Sequence, residues 1–133
     1  MREILFRGKR TDNGEWIVGM LGQYHEGIKA TIVLNYLGTV DSVDFICVDP
    51  STVGQYTGLT DKNGKQIFEG DVLEVNYDRF YVGAKGCVKF ECGSYMIDGI
   101  SGVLSLYVYL PYCEVVGNIH DNPELLGGGG ADG

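Results

Sequence analysis

This sequence predicts a mostly β fold, α+β once its short helical turns are counted, in two successive subdomains. Three observations carry the prediction. Runs of β-branched and aromatic residues recur at short intervals, separated by Gly, Asn and Asp. No segment places apolar residues at i, i+3, i+4 and i+7 over several turns, so extended helix is scarce. The stretch from Asp49 to Val75 gathers turn residues, among them Pro50, Asn63-Gly64 and Glu69-Gly70-Asp71, between two apolar halves. The expected division is a β-rich subdomain over residues 1–55, a small β-barrel over 56–126 and a flexible Gly-rich tail over 127–133.

Taken in order, Ile4 to Lys9 and Glu15 to Leu21 are strand-like runs on either side of Thr11-Asp12-Asn13-Gly14. Asn-Gly between such runs is the strongest short-range hairpin signal, because both residues accept positive φ. Trp16, Val18 and Met20 share one face of the second run, and Trp16 is expected in the core. Gly22 to Lys29 reads as a turn or a twisted strand pair, with His25 an exposed loop residue rather than a base. Ala30 to Tyr36 and Ser42 to Val48 form a further hairpin about Gly38 to Asp41. Asp49-Pro50 then stops the strand and opens one short turn of helix over Ser51 to Tyr56, Asp49 as N-cap and Pro50 at the first helical position.

Asp61-Lys62-Asn63-Gly64 predicts the tip of the next hairpin, with positive φ near Gly64. Gln66 to Phe68 and Asp71 to Asn76 are strands about a Glu69-Gly70 corner, with Leu73 and Val75 on one face and Val72 on the other. Gly86 to Glu91 continues with Val88 and Phe90 inward. Val103 to Leu110 alternates Leu104, Leu106, Val108 and Leu110 against Ser105, Tyr107 and Tyr109, which is strand periodicity. Pro111 breaks that run, Tyr112 to Ile119 closes the set, and Asp121 to Leu126 reads as a capped helical turn. Short strands so close together favour barrel closure, which removes exposed edges.

Composition excludes several function classes. With 133 residues the chain can bury a core without metal or disulfide staples. No run of about 18 apolar residues exists to span a membrane, and the charges of Arg2, Glu3, Arg7, Lys9 and Arg10 interrupt the place where a signal peptide would have its apolar region. The net charge is −8; residues 1–10 hold four bases and one acid, so the remaining 123 residues carry −11. An acidic body disfavours holding a phosphate backbone by charge, and only Arg7, Lys9 and Arg10 offer a basic edge. The simpler reading of those three is a solvated strand face that discourages edge-to-edge pairing.

No catalytic or metal set assembles from spacing. Cys47, Cys87, Cys92 and Cys113 lack paired C-x2-C spacing and read as reduced thiols. Glu69 and Asp71 are closer to turn residues than to an acid/base couple, which would need a buried pocket to split its pKa values. Asp61-x-Asn63-Gly64 resembles the start of a calcium loop, but Lys65 occupies a ligand position and the closing Glu is absent. Gly127 to Gly130 opens no helix and so cradles no phosphate. No cofactor is expected. The constellation that suggests recognition is Tyr77, Arg79, Phe80 and Tyr81, residue types of binding hot spots on a loop between strands. The alternative is that Tyr77 and Phe80 cap the end of the barrel while Arg79 is solvated.

Three groups of residues carry a family resemblance. They are Arg7-Gly8-Lys9 with Gly14-Glu15-Trp16, Thr52 to Leu59 continuing through Asp61-Lys62-Asn63-Gly64-Lys65 to Ile67-Phe68-Glu69-Gly70-Asp71, and Glu114 to Leu126. With these the chain resembles the YopX family of bacteriophage and prophage proteins over nearly its whole length, least at residues 76–110. The resemblance implies that the barrel is SH3-like and begins near Gly58, and it carries over no catalytic residue. The expected role is then a non-catalytic phage accessory protein in the bacterial cytoplasm that binds a host or phage protein and self-associates, most simply as a dimer. A nucleic-acid-associated module using the basic N-terminal edge and barrel loops is the alternative, and a small hydrolase without a recognisable motif is the third reading.

Overall fold

The computed structural model describes residues 4–35, 43–99 and 102–126. They form a mostly β protein with little helix. The strands are β1 (Phe6–Lys9), β2 (Trp16–His25), β3 (Lys29–Asn35), β4 (Val43–Val48), β5 (Gly54–Thr60), β6 (Gln66–Phe68), β7 (Asp71–Tyr77), β8 (Tyr81–Glu91), β9 (Ser94–Asp98), β10 (Val103–Ser105) and β11 (Cys113–Asn118). One short helix, α1 (Leu106–Tyr109), follows β10. The strands make two antiparallel sheets, one of six in the order β4-β3-β2-β1-β5-β6 and one of five in the order β10-β9-β8-β7-β11. Among the described residues β10 and β11 stay at opposite edges, so the expected barrel is not closed. Two compact units divide the chain, Met1–Tyr56 and Thr57–Gly133.

In the first unit the Asn-Gly hairpin forms as its residues dictate. The Arg10 N–H donates to the Glu15 carbonyl (2.8 Å), and Gly14 takes φ +74. Gly8 in β1 lies against Val48, where a Cβ would come within 2.7 Å of a Val48 methyl. The core of the unit is Ala30, Ile32 and Val48, with Phe6, Ile17, Leu21, Leu34 and Val53 packed on it. This assigns the inward face of β2 to Ile17 and Leu21. Trp16 is not in that core: it is half-buried on the other face, while Val18 and Met20 are exposed. Gly22 to Lys29 is the strand pair of the two readings: β2 runs on to His25 with a bulge between Leu21 and Tyr24 and pairs with β3 from Lys29, and His25 is exposed at the strand end rather than in a loop. β3 and β4 pair from Ala30↔Val48 to Asn35↔Val43; the turn expected at Gly38 to Asp41 lies outside the described residues, as does the 127–133 tail. Asp49 caps a 3-10 turn over Pro50–Thr52, its carboxylate accepting from the Ser51 N–H at 3.0 Å. The helical turn expected to reach Tyr56 ends at Thr52, because the chain is already extended as strand from Gly54.

In the second unit Asn63-Gly64 is the hairpin tip between β5 and β6, with Gly64 at φ +84. The core is Ile67, Leu73, Val75, Val88, Ile97, Leu106 and Cys113. Val72 is also fully buried. Two expectations fail here for physical reasons. Phe90 is exposed because it lies near the far end of β8, beyond the core, where its ring meets Tyr95 on β9 at 5.0 Å. Val103 to Leu110 is a strand only as far as Ser105, whose hydroxyl then accepts from the Val108 N–H at 3.4 Å and starts α1. Leu106, Tyr109 and Leu110 reach the core from positions i, i+3 and i+4, so the same run that alternates like a strand also fits a helix. β9 had no sequence signal. Its link to β8 is Cys92-Gly93, at φ +52 and +86, a two-residue turn of primed geometry made without Asn-Gly.

Candidate functional site

The hairpin loop between β7 and β8 carries Tyr77, Arg79, Phe80 and Tyr81. Tyr77 and Tyr81 face each other at the end of the ladder, Asp78 takes φ +53, and the Phe80 N–H donates to the Tyr77 carbonyl at 3.0 Å. This tight closure stacks the Phe80 ring on Tyr77, with centroids 5.9 Å apart and planes at 23°. Phe80 is nevertheless 68% exposed, and Arg79 is exposed beside it. Tyr81 is half-buried and packs on the core.

Two rings that the sequence did not connect with this loop complete the group. Tyr109, on α1, stands edge-on to Tyr77 at 5.7 Å and to Tyr81 at 5.8 Å, and Tyr112 lies 4.6 Å from Tyr77. Edge-to-face and offset contacts at these separations are the favourable geometries for aromatic pairs. The strand reading of Val103 to Leu110 placed Tyr109 on a sheet face; the helical turn instead directs it at the loop. Tyr77, Tyr81 and Tyr109 close the end of the unit, and Phe80 projects from it. Tyr107 and Val108 are also exposed on α1.

The basic residues are arranged differently from an edge. β1 pairs with β2 on one side and with β5 on the other, so Arg7 and Lys9 sit on an interior strand. The Arg7 guanidinium lies 4.8 Å over the Trp16 ring and the Lys9 ammonium 5.9 Å from it, a double cation–π contact that accounts for the position of Trp16. Arg10 holds the Asp12 carboxylate through two nitrogens, at 2.9 and 2.7 Å, and this hydrogen bond with its charge keeps the Asp12 carboxyl below the ordinary value.

The remaining polar candidates serve the fold. Asp71 is buried and accepts from the Phe68 N–H at 2.8 Å, closing the Glu69-Gly70 corner. Asp61, also buried, accepts from the N–H groups of Asn63 (2.8 Å), Lys65 (2.9 Å) and Val115 (2.9 Å). Burial raises its pKa, but those bonds and the Lys65 charge outweigh it and hold the carboxyl below the ordinary value. Its neighbour Cys113 donates to the Tyr109 carbonyl at 3.0 Å, and burial, then the Asp61 charge, push that thiol up to about 11. All four cysteines are free, with Cys47 and Cys92 exposed. Among the described residues no three His, Cys, Asp or Glu side chains gather to hold a metal, and no helix is long and apolar enough to cross a membrane.

What this geometry defines is a β-rich chain with several exposed aromatic side chains. The family model described as YopX protein matches residues 5–127, so the chain belongs to the YopX family. It is similar to the crystal structure of protein EF1440 from Enterococcus faecalis, at 25% identity and TM-score 0.58, covering 95% of this chain and 99% of that one. It is also similar in fold to the crystal structure of protein yopX from Bacillus subtilis, at 19% identity and TM-score 0.59, with 95% and 97% covered. No curated protein matched the sequence.

Proposed function

We propose that the chain is a non-catalytic accessory protein of phage or prophage origin that binds a host or phage protein in the bacterial cytoplasm. Its contact surface is the aromatic end of the second unit. One observation carries this reading: Phe80 is 68% exposed while its ring is held in place by Tyr77. An aromatic side chain ordered before binding loses little entropy on docking, which is the economy of a hot spot. Arg79 on the same loop adds a planar cation of the type enriched at interfaces. The five antiparallel strands of the unit support reading it as an open relative of SH3-like modules. The same surface serves self-association into a dimer, since a patch holding both rings and a guanidinium is self-complementary about a two-fold axis.

The test uses the full chain as bait in a phage-infected or lysogenic host, beside Phe80→Ala and Arg79→Glu. A partner captured by the wild type and lost with both variants, while thermal stability is unchanged, supports the surface. Equal capture by all three proteins refutes it. Sedimentation across a range of concentrations decides self-association separately: a monomeric mass at tens of micromolar removes the dimer from the proposal.

A further inference from the structure

The first unit has an outward sheet face that the proposed function does not use. Strand register assigns its residues. Arg7 pairs with Val18 and Lys9 with Trp16; Met20 pairs with Val33 and Val33 with Phe45; Thr31 pairs with Cys47 and His25 with Lys29. These side chains lie opposite the Ala30, Ile32 and Val48 core, because alternate residues of a strand point to opposite faces. Phe45 is 67% exposed, Met20 59% and Val18 40%. Along β2 the apolar centre is flanked at one end by Arg7 and Lys9 and at the other by Lys29. Arg7, Lys9 and Lys29 occupy strand positions on this face. Among the described residues no strand position on the face carries Asp or Glu.

Beside Phe45 the face opens into a groove of about 530 Å³ lined by Gly22, Gln23, Lys29, Thr31, Phe45 and Cys47. Gly22 keeps it open: a Cβ there would come within 2.5 Å of the Thr31 hydroxyl oxygen and 2.9 Å of a Val33 methyl. The bulge between Leu21 and Tyr24 falls at the same place, a position where sheets characteristically re-aim side chains or admit a ligand.

We propose that this face binds single-stranded nucleic acid, stacking a base on Phe45 in the groove and holding phosphates at Lys29 on one side and at Arg7 and Lys9 on the other. An exposed ring on a sheet between cations is the arrangement that receives splayed bases and their backbone. Charge selects this occupant over an apolar or basic one, because Arg7, Lys9 and Lys29 make the face locally cationic although the chain as a whole carries −8. The duplex is excluded as the main ligand, since its bases are not available to stack on a flat sheet. The two cations on Trp16 are already ordered by their ring contacts, which reduces what must be fixed on binding.

The experiment is fluorescence anisotropy of the full chain with labelled oligothymidine and oligouridine of about 12 nucleotides, within the roughly 4–16 nucleotides such surfaces hold. With three phosphate contacts the slope of log affinity against log salt is about −2, so affinity falls about twenty-fold between 50 and 200 mM salt. Phe45→Ala weakens binding about tenfold at fixed salt and leaves the slope unchanged. Lys29→Gln reduces the slope by about 0.7. Phe80→Ala, at the other surface, changes neither, which separates this site from the proposed protein contact. Preference for one oligomer over the other assigns DNA or RNA. Absence of binding at 50 mM salt, affinity indifferent to Phe45→Ala, or equal binding of an acidic aromatic peptide overturns the proposal. Circular dichroism checks the fold, and if Phe45→Ala lowers the melting temperature the Lys29→Gln slope decides alone.

Discussion

Replacing the buried Asp61 by Ala should cost more than a change at an exposed turn position, because its carboxylate is where the β5–β6 turn is tied to a strand 54 residues away. The two bonds from Asn63 and Lys65 serve N–H groups at exposed positions, where water replaces the lost acceptor, so each contributes about 0.5 kcal/mol. The Val115 N–H lies on the half-buried strand β11, and stranding it costs about 1–3 kcal/mol. The total is about 3 kcal/mol against a typical stability of roughly 5–15 kcal/mol. Urea denaturation followed by tryptophan fluorescence and circular dichroism measures it. With a slope of about 1–3 kcal/mol/M the midpoint should fall by about 1–3 M. Asp61→Asn should cost about half as much, since one amide oxygen can serve only one side of the site. The sign of the pH dependence follows from the depressed folded pKa: the ionised Asp61 contributes stability that is fully present above the unfolded value near 3.8 and is lost as pH falls through the lower folded value. The difference between wild type and Asp61→Asn should therefore shrink below that pH. A midpoint change under about 0.3 M at neutral pH, with the slope unchanged, would refute this account of the turn.

Two glycines separate packing from backbone conformation. Gly8→Ala drives a Cβ to within 2.7 Å of Val48 and should cost about 1–3 kcal/mol as overpacking. Gly64→Ala meets nothing within 4 Å, so its cost of about 1 kcal/mol reflects φ +84 alone; a larger loss there than at Gly8 in urea titrations would invert the argument. A thiol reagent at pH 8 should modify Cys47 and Cys92 rapidly and Cys87 and Cys113 only after denaturation; four fast equivalents would contradict the burial of the latter pair and the Cys113 value of about 11. Phe90→Ala should lose only about 0.5–1 kcal/mol by melting, the worth of a cross-strand ring pair with Tyr95, whereas a loss of about 3 kcal/mol would return Phe90 to a core.

Local chemistry alone determined the turns and most of the strands. Asn13-Gly14 and Asn63-Gly64 accept positive φ, Asp49 caps a turn that Pro50 opens, and the β-branched runs of β3, β4 and β7 have no comparable alternative. These preferences act within a few residues, so they survive any packing. The family was legible for the same reason, since its matching residues cluster at turns.

Tertiary structure decided which faces are buried, and with them both candidate surfaces. Period-2 alternation in β2 offers two faces, and only the pairing with β1 and β3 puts Ile17 and Leu21 on the core and leaves Trp16, Val18 and Met20 outside. The run from Val103 to Leu110 fits strand and helix alike; the Ser105 cap and the core places for Leu106, Tyr109 and Leu110 select the helix. That choice carries Tyr109 to Tyr77 and Tyr81, a meeting of residues some 30 positions apart that no spacing announces. The same holds for Phe45 and Gly22, which share a groove only because β4 and β2 both flank β3. A sequence states what each residue prefers nearby, and the closure of sheets states which distant residues become neighbours.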